Sequence, residues 1–491
     1  MAEEREGRSR LPHSWSESNR FVPTTFVQPT LRFLRQGSAG GAVMLAAAVI
    51  AVAWANSPAS DSYFGLFGTT IEIAFGDFHF HHLSELTVRE WINDGAMVVF
   101  FFVVGLEIKR EVVVGDLRDP KTAALPAIAA LGGMLVPAGI YLLFNRVLLA
   151  GPGAEPGAWG IPMATDIAFA VGIVAMLGRR VPVSAKLFLL ALAIVDDLGA
   201  IIVIALIYTD QLYVGWLLAA AAGLCGIALM NRLDVRAPSV FVIAGSLVWL
   251  AMLESGVHAT LAGVAVAMLT PVTSFLDPRR FDDHARPLVE KVSQYVPDEV
   301  PLHRTDHHTI ARVGTIIEDL RRLSYETLPP LSRLELKLAP VSSFLIVPTF
   351  ALANAGVRIE GDAIRGALDD PVLLGVALGL IIGKTVGVTG FAFAAVRLGL
   401  GRMPQGTTWR HILGIGMLSG IGFTVALFVA SLSLAGPALD SAKIGIFAGS
   451  LFAGGGGYLF LRAGDVRAEP GEPDEPPGAG QESNALTRAT A

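Results

Sequence analysis

The chain has 491 residues, of which 53% are hydrophobic and 16% charged. Soluble globular proteins carry about 25% charged residues, so this sequence lacks polar cover for a water-facing surface of its size, and a soluble multidomain enzyme is excluded. The single cysteine, Cys225, excludes an intramolecular disulfide scaffold, and a net charge of -6 leaves no electrostatic footprint for nucleic acid. The 53 glycines suit membrane helices whose backbones approach closely. The expectation is an all-α polytopic membrane protein.

In chain order, residues 1–38 are polar and Arg-rich, too long and too weakly apolar for a cleavable signal sequence, so the first span reads as an uncleaved anchor. A transmembrane helix needs about 20 mostly apolar residues. That window gives twelve candidates, near 39–56, 91–108, 122–144, 159–177, 187–208, 213–230, 238–253, 257–273, 338–355, 371–396, 411–433 and 444–461. Spans one to eight occupy 39–273. A polar insertion of mixed charge follows at 274–334, and its ARVGTIIEDLRRLSY stretch has the 3.6-residue periodicity of an amphipathic helix. Spans nine to twelve occupy 335–463, and the Pro/Gly/Glu-rich tail at 464–491 has a composition that stays disordered.

Lysine and arginine placement sets the orientation. With a cytoplasmic N-terminus, the outside segments hold only Arg89, Arg146, Arg358 and Arg365, whereas nearly all the other basic residues fall inside. Both termini are expected in the cytoplasm.

Ionisable residues inside spans are the informative ones, because each costs roughly 2.5–3.5 kcal/mol at a helix centre. Asp166 lies in IPMATDIAFAVG, Asp196 and Asp197 in LALAIVDDLGAIIVIAL, and Lys384 in LGLIIGKTVGV. Together they cost on the order of 10 kcal/mol, which argues against a purely structural pairing. Consecutive helix residues point about 100° apart. One aspartate of the pair therefore turns toward a neighbouring helix, where Lys384 is the natural partner, while the other faces a cavity. A free carboxylate binds either a proton or a small hard cation that favours oxygen ligands, and that competition is the minimum chemistry of exchange.

Asp166 sits beside Gly160, Pro162 and Thr165, a poor continuous helix, and a second break-prone span carries Gly414, Gly416, Gly420 and Gly422. Interrupted spans in matching places of two halves point to a transporter site near the midplane. The spans at 122–144, 159–177 and 187–208 form one three-helix unit and those at 371–396, 411–433 and 444–461 another, starting on opposite sides, hence inverted. If the two interrupted helices cross, Asp166 offsets the positive half-helix ends.

The strings WINDGAMVVFFFVVGLEIKRE, ATDIAFA, ALAIVDDLGAI, SGVHATLAG, PTFALANAG, GKTVGV and SGIGFTVALF, in this order and covering about 38–463 outside the insertion, resemble the NhaA-type sodium/proton antiporters. The resemblance implies twelve helices, two of them interrupted and crossing, and electrogenic exchange of cytoplasmic Na⁺ or Li⁺ for external protons without a cofactor. By motif, Asp197 resembles the principal ion- and proton-binding carboxylate and Asp196 the one paired with the intramembrane lysine, here Lys384, so Na⁺ is expected at Asp196 and Asp197. Thr165 and Asp166 resemble the charge-compensating pair of the first interrupted helix, Thr165 being also a candidate ion ligand. Asp94 resembles a family carboxylate on the opposite side of the bundle, or is a helix N-terminal acid favoured by the dipole. Glu107, Glu111, Glu335 and His258 are the candidates for a pH response, although the family carries histidines where this chain has Leu336 and Ala339. His284, His303, His307 and His308 of the insertion read as solvated loop side chains, with modulation of the pH response as the alternative.

The expected partners are Na⁺, protons and the lipid bilayer, with a homodimer as a candidate assembly and no nucleic acid. The expected location is a bacterial-type plasma membrane. An intramembrane aspartyl protease built on Asp166 and Asp196 leaves Lys384 without a job, and a retinal-type pump has seven spans rather than twelve.

Overall fold

A computed structural model describes residues 39–72, 86–208, 212–233, 235, 238–295, 307–359, 366 and 368–463. The segments expected at 1–38 and 464–491, and residues 296–306 of the insertion with His303, lie outside the described residues. Apart from an isolated antiparallel bridge between Thr70 and Thr87, the described residues form helices, turns and connections. Among them, seven helices are long and apolar enough to cross a membrane, or up to nine if each bent pair is one span. Exposed apolar side chains such as Leu206, 75% exposed, and Leu451, 73% exposed, are tolerable facing lipid and would be a liability in water. The chain is an all-α polytopic membrane protein.

The first span is α1 (Ala39–Ala55), which turns through 114° into a short α2 (Ser60–Gly68). The second begins with a reciprocal cap. Thr87 accepts from the Glu90 N–H while Glu90 accepts from the Thr87 N–H, which satisfies two free donors of the first turn. A π-turn at Trp91–Ala96 then leads into α3 (Met97–Val113). Asp94 therefore sits one turn inside, and Glu90 is the acid at the helix N-terminus. That corrects the reading of Asp94 as an end-of-helix acid.

After α4 (Pro120–Leu143), two 3₁₀ turns at Pro156–Ala158 and Ile161–Met163 precede α5 (Ile167–Leu177). Next come α6 (Val183–Ile207), α7 (Val214–Arg232), α8 (Pro238–Glu254) and α9 (Thr260–Leu269). The insertion contributes α10 (Phe281–Tyr295), which carries His284, and α11 (His307–Thr327), which covers the periodic stretch and carries His308. The span expected near 338–355 starts earlier than hydropathy suggests, at α12 (Pro330–Val341), and continues through a π-turn into α13 (Val347–Asn354).

The last group is α14 (Pro371–Leu378), a π-turn at Gly379–Gly383, α15 (Lys384–Arg397), α16 (Trp409–Leu418), α17 (Phe423–Ser433) and α18 (Gly436–Arg462). Hydropathy places the start of α18 at 444 because Asp440 and Lys443 read as surface. Lys443 is instead buried at 4% exposure, its ammonium donating to the Gly356 carbonyl at 3.1 Å.

The bundle is organised around the seam between α4 and the α14–α15 helix. Gly132 lies against Gly387, Pro137 against Gly383 and Tyr141 against Gly375, so the two helices run antiparallel. A Cβ on Gly387 would land on the Gly132 carbonyl, and one on Gly132 on the Gly387 carbonyl. Backbone meets backbone here, and neither side has a flexible end that can yield. The seam holds Lys384 next to Gly133 and toward α6.

Gly387→Ala should destabilise the protein by about 1–3 kcal/mol through overpacking, read as a lowered thermal midpoint in detergent. Gly390→Ala on the same helix, where a Cβ meets nothing within 4 Å, should leave the midpoint unchanged.

Candidate ion-binding site

Both interrupted spans break where their backbone cannot continue a helix. In the first, Pro162 cannot donate, Ala164 and Asp166 are extended, and Asp166 becomes the N-cap of α5. In the second, α16 and α17 meet at 44° across Ser419–Gly422. Only Gly420 and Gly422 of the four glycines lie in that break. Gly414 and Gly416 are inside α16, against Leu461 and the Thr385–Thr389 turn, and serve close packing.

The two breaks touch. The Asp166 N–H donates to the Ile421 carbonyl at 2.6 Å, and the Thr165 hydroxyl donates to the Ser419 carbonyl at 2.8 Å. One Asp166 oxygen accepts from the Phe169 N–H at 3.1 Å. The other accepts from the Thr424 hydroxyl at 2.6 Å and its N–H at 3.2 Å. A single carboxylate thus caps the N-termini of both half-helices, where the partial charge is positive, while a hydroxyl meets a carbonyl end. Ser450 of α18 accepts from the Gly422 N–H at 3.3 Å. Sequence reasoning missed Thr424, although its place just past the glycine break, as Asp166 follows Pro162, was the available signal.

Asp196 and Asp197 lie midway along α6, at 0% and 5% exposure. Lys384, also fully buried, donates from Nζ to Asp196 Oδ2 at 2.5 Å. Among the described residues, Asp196 Oδ1 and Asp197 Oδ1 are buried with no hydrogen-bond partner. Thr165 stands beside Asp196. Among the described residues, the charges that act most on Asp197 are those of Asp196, Asp166 and Glu107, against that of Lys384. Acids in excess of bases, out of water, demand a proton or a cation.

Among the described residues no three His, Cys, Asp or Glu side chains converge as a metal site. The donors at this place are two carboxylates with hydroxyl and carbonyl oxygens, a set suited to an alkali ion rather than to a transition metal.

The candidates for a pH response do not form one group. At one end of α3, Arg110 pairs with Glu335 of α12 and lies 3.6 Å from Glu111, with the half-buried Glu107 one turn deeper. Lys109 of the same turn donates to the carbonyls of Met268 and Thr270, both at 2.6 Å. Leu336, one residue on, is 70% exposed. His258 is elsewhere. It precedes α9, whose other end Lys109 grips, so it lies roughly 15–20 Å away along that helix at 1.5 Å per residue. Its Nε2 donates to the Tyr208 carbonyl at 2.5 Å, at the end of α6.

Lys384→Met should cost about 3–5 kcal/mol, because it strands the buried Asp196 carboxylate. Adding Asp196→Leu should recover most of that loss, a reversal that thermal unfolding of both variants would measure.

Residues 31–461 match the family described as Na+/H+ antiporter 1. A Na(+)/H(+) antiporter NhaA of Oleidesulfovibrio alaskensis is 43% identical over 435 residues, covering 88% of this chain and 93% of that protein. A Na(+)/H(+) antiporter NhaA 2 of Sorangium cellulosum is 41% identical over 482 residues, 98% of each chain. A Na(+)/H(+) antiporter NhaA 3 of Frankia alni is 44% identical over 438 residues, 89% of each. With a match of this extent over the interrupted helices and their buried acids, the chain belongs to the Na+/H+ antiporter 1 family of membrane transporters.

Proposed function

We propose that this protein exchanges cytoplasmic Na⁺ or Li⁺ for external protons, by competition of cation and protons for Asp196 and Asp197 with alternating access. The observation that carries the reading is the buried Lys384–Asp196 pair beside Asp197, whose Oδ1 has no hydrogen-bond partner among the described residues. The reading is supported by the contact of the two helix breaks through Asp166 and Thr165, with Thr165 beside Asp196.

Loss of protons leaves a carboxylate that must find a counter-charge in a low-dielectric place. An alkali ion supplies it through the free oxygens of Asp196 and Asp197, with Thr165 as a further ligand. With the ion held, the two bundles rock and expose the site to the outside, where protons displace it. Asp166 and Thr165 keep the half-helix ends neutralised through the cycle, so the breaks remain fixed while their surroundings move. More than one proton per sodium makes the exchange electrogenic. The acids at the inner end of α3, Glu107, Glu111 and Glu335, are proposed to adjust the response to cytoplasmic pH.

Twelve spans in inverted units, with both termini and the insertion cytoplasmic in a bacterial plasma membrane, complete this reading. The antiparallel seam of α4 with α14–α15 supports the inversion, since these are the first helices of the two units. An aspartyl protease is disfavoured because Asp166 is committed to two helix N-termini and Asp196 to Lys384, so the two carboxyls are not paired with one another around one proton.

In proteoliposomes with a preset pH gradient, added Na⁺ or Li⁺ should dissipate the gradient. Asp197→Asn should abolish that signal with little change in thermal midpoint, since the residue makes no buried ion pair. Native-rate exchange by an Asp196→Asn/Asp197→Asn protein would sink the reading.

A further inference from the structure

Tyr208 follows α6, the helix that carries Asp196 and Asp197, and its phenol reaches back to the stub that precedes the first break. The Gly160 N–H donates to the phenol oxygen at 3.0 Å, and the phenol donates to the Gly157 carbonyl at 3.2 Å. A Cβ on Gly160 would stand 2.7 Å from that oxygen. From the other side His258 donates to the Tyr208 carbonyl, which anchors the residue on the segment leading into α9.

Tyr208 comes eleven residues after Asp197, about 16 Å along the helix at 1.5 Å per residue. The interrupted span is thus tied to α6 by the phenol at one end, while five residues on Thr165, beside Asp196, is held to the Ser419 carbonyl of the second break. Between these ties the backbone is 3₁₀ turns and extended residues. Such a stretch lacks the i→i−4 ladder that would set its own length.

We propose that Tyr208 is a positioning residue for cation binding: its phenol sets the depth at which Thr165 faces the Asp196–Asp197 pair, and so the affinity of the site for the alkali ion. This rests on the exchange reading above. Without the hydroxyl, the stub gains freedom that each binding event must remove again, a loss that falls on affinity rather than on maximal rate.

The test is Na⁺-dependent dissipation of a pH gradient, as a concentration series, for wild type, Tyr208→Phe, Gly160→Ala and the double variant. Tyr208→Phe should raise the KM for Na⁺ about fivefold, the weight of one net hydrogen bond, with maximal rate and thermal midpoint unchanged. Gly160→Ala should raise KM beside tyrosine and add less beside phenylalanine, where the oxygen it strikes at 2.7 Å is gone and only the ring edge at 3.1 Å remains. An unchanged KM in Tyr208→Phe, a lowered midpoint with normal KM, or fully additive effects would each overturn the proposal. Calorimetric titration of Na⁺ into the same purified proteins separates the two readings. Wild type that binds Na⁺ about fivefold tighter than Tyr208→Phe but fails to exchange it would refute the exchange and leave the positioning role standing.

Discussion

An ammonium and a carboxylate 2.5 Å apart, neither touched by solvent, sit at the centre of this bundle. Each alone would be prohibitive in a bilayer. Together they are tolerable only because the surrounding helices hold them at contact distance, and that requirement shapes much of the fold. The glycine seam between α4 and α14–α15 brings the lysine helix close enough. The packing of α4 on α6 brings the aspartates to the same place.

The second constraint is backbone polarity. A helix interrupted inside the hydrocarbon region exposes N–H and carbonyl groups that lipid cannot satisfy. Here the two interruptions satisfy one another: Asp166 serves two N-termini, Thr165 a carbonyl end, and Ser450 a stray N–H. Neither break is viable without the other. That mutual dependence explains why residues 255 positions apart, Asp166 and Ile421, share a short backbone bond.

Much of this was legible in the sequence, for physical reasons that can be named. Apolar runs mark spans because lipid admits little else, and the cost of Asp196 and Lys384 in a span demanded that they meet. Proline and glycine at 160–165 and 420–422 marked the breaks. What escaped depends on neighbours rather than on local residues. The Thr87 cap starts the helix at Val88 and so puts Asp94 inside it, and nothing in WINDGA announces the π-turn that follows. Lys443 and Asp440 hid the first two turns of α18, because a buried lysine looks like a surface one until the Gly356 carbonyl appears beside it. His258 shares no end of the bundle with Glu335, and only the pairing of α3 with α9 shows that.

The wide turn at Gly379–Gly383 ends immediately before Lys384. A π-turn accommodates one residue more than an α-turn, so the azimuth at which the next side chain leaves the helix depends on where the turn begins. Sliding it by a single residue would rotate the lysine about 100° around the axis while both ends of the helix stay docked. The grip on Asp196 is therefore governed by a local change of winding, which a rigid-body description of the helices would not register.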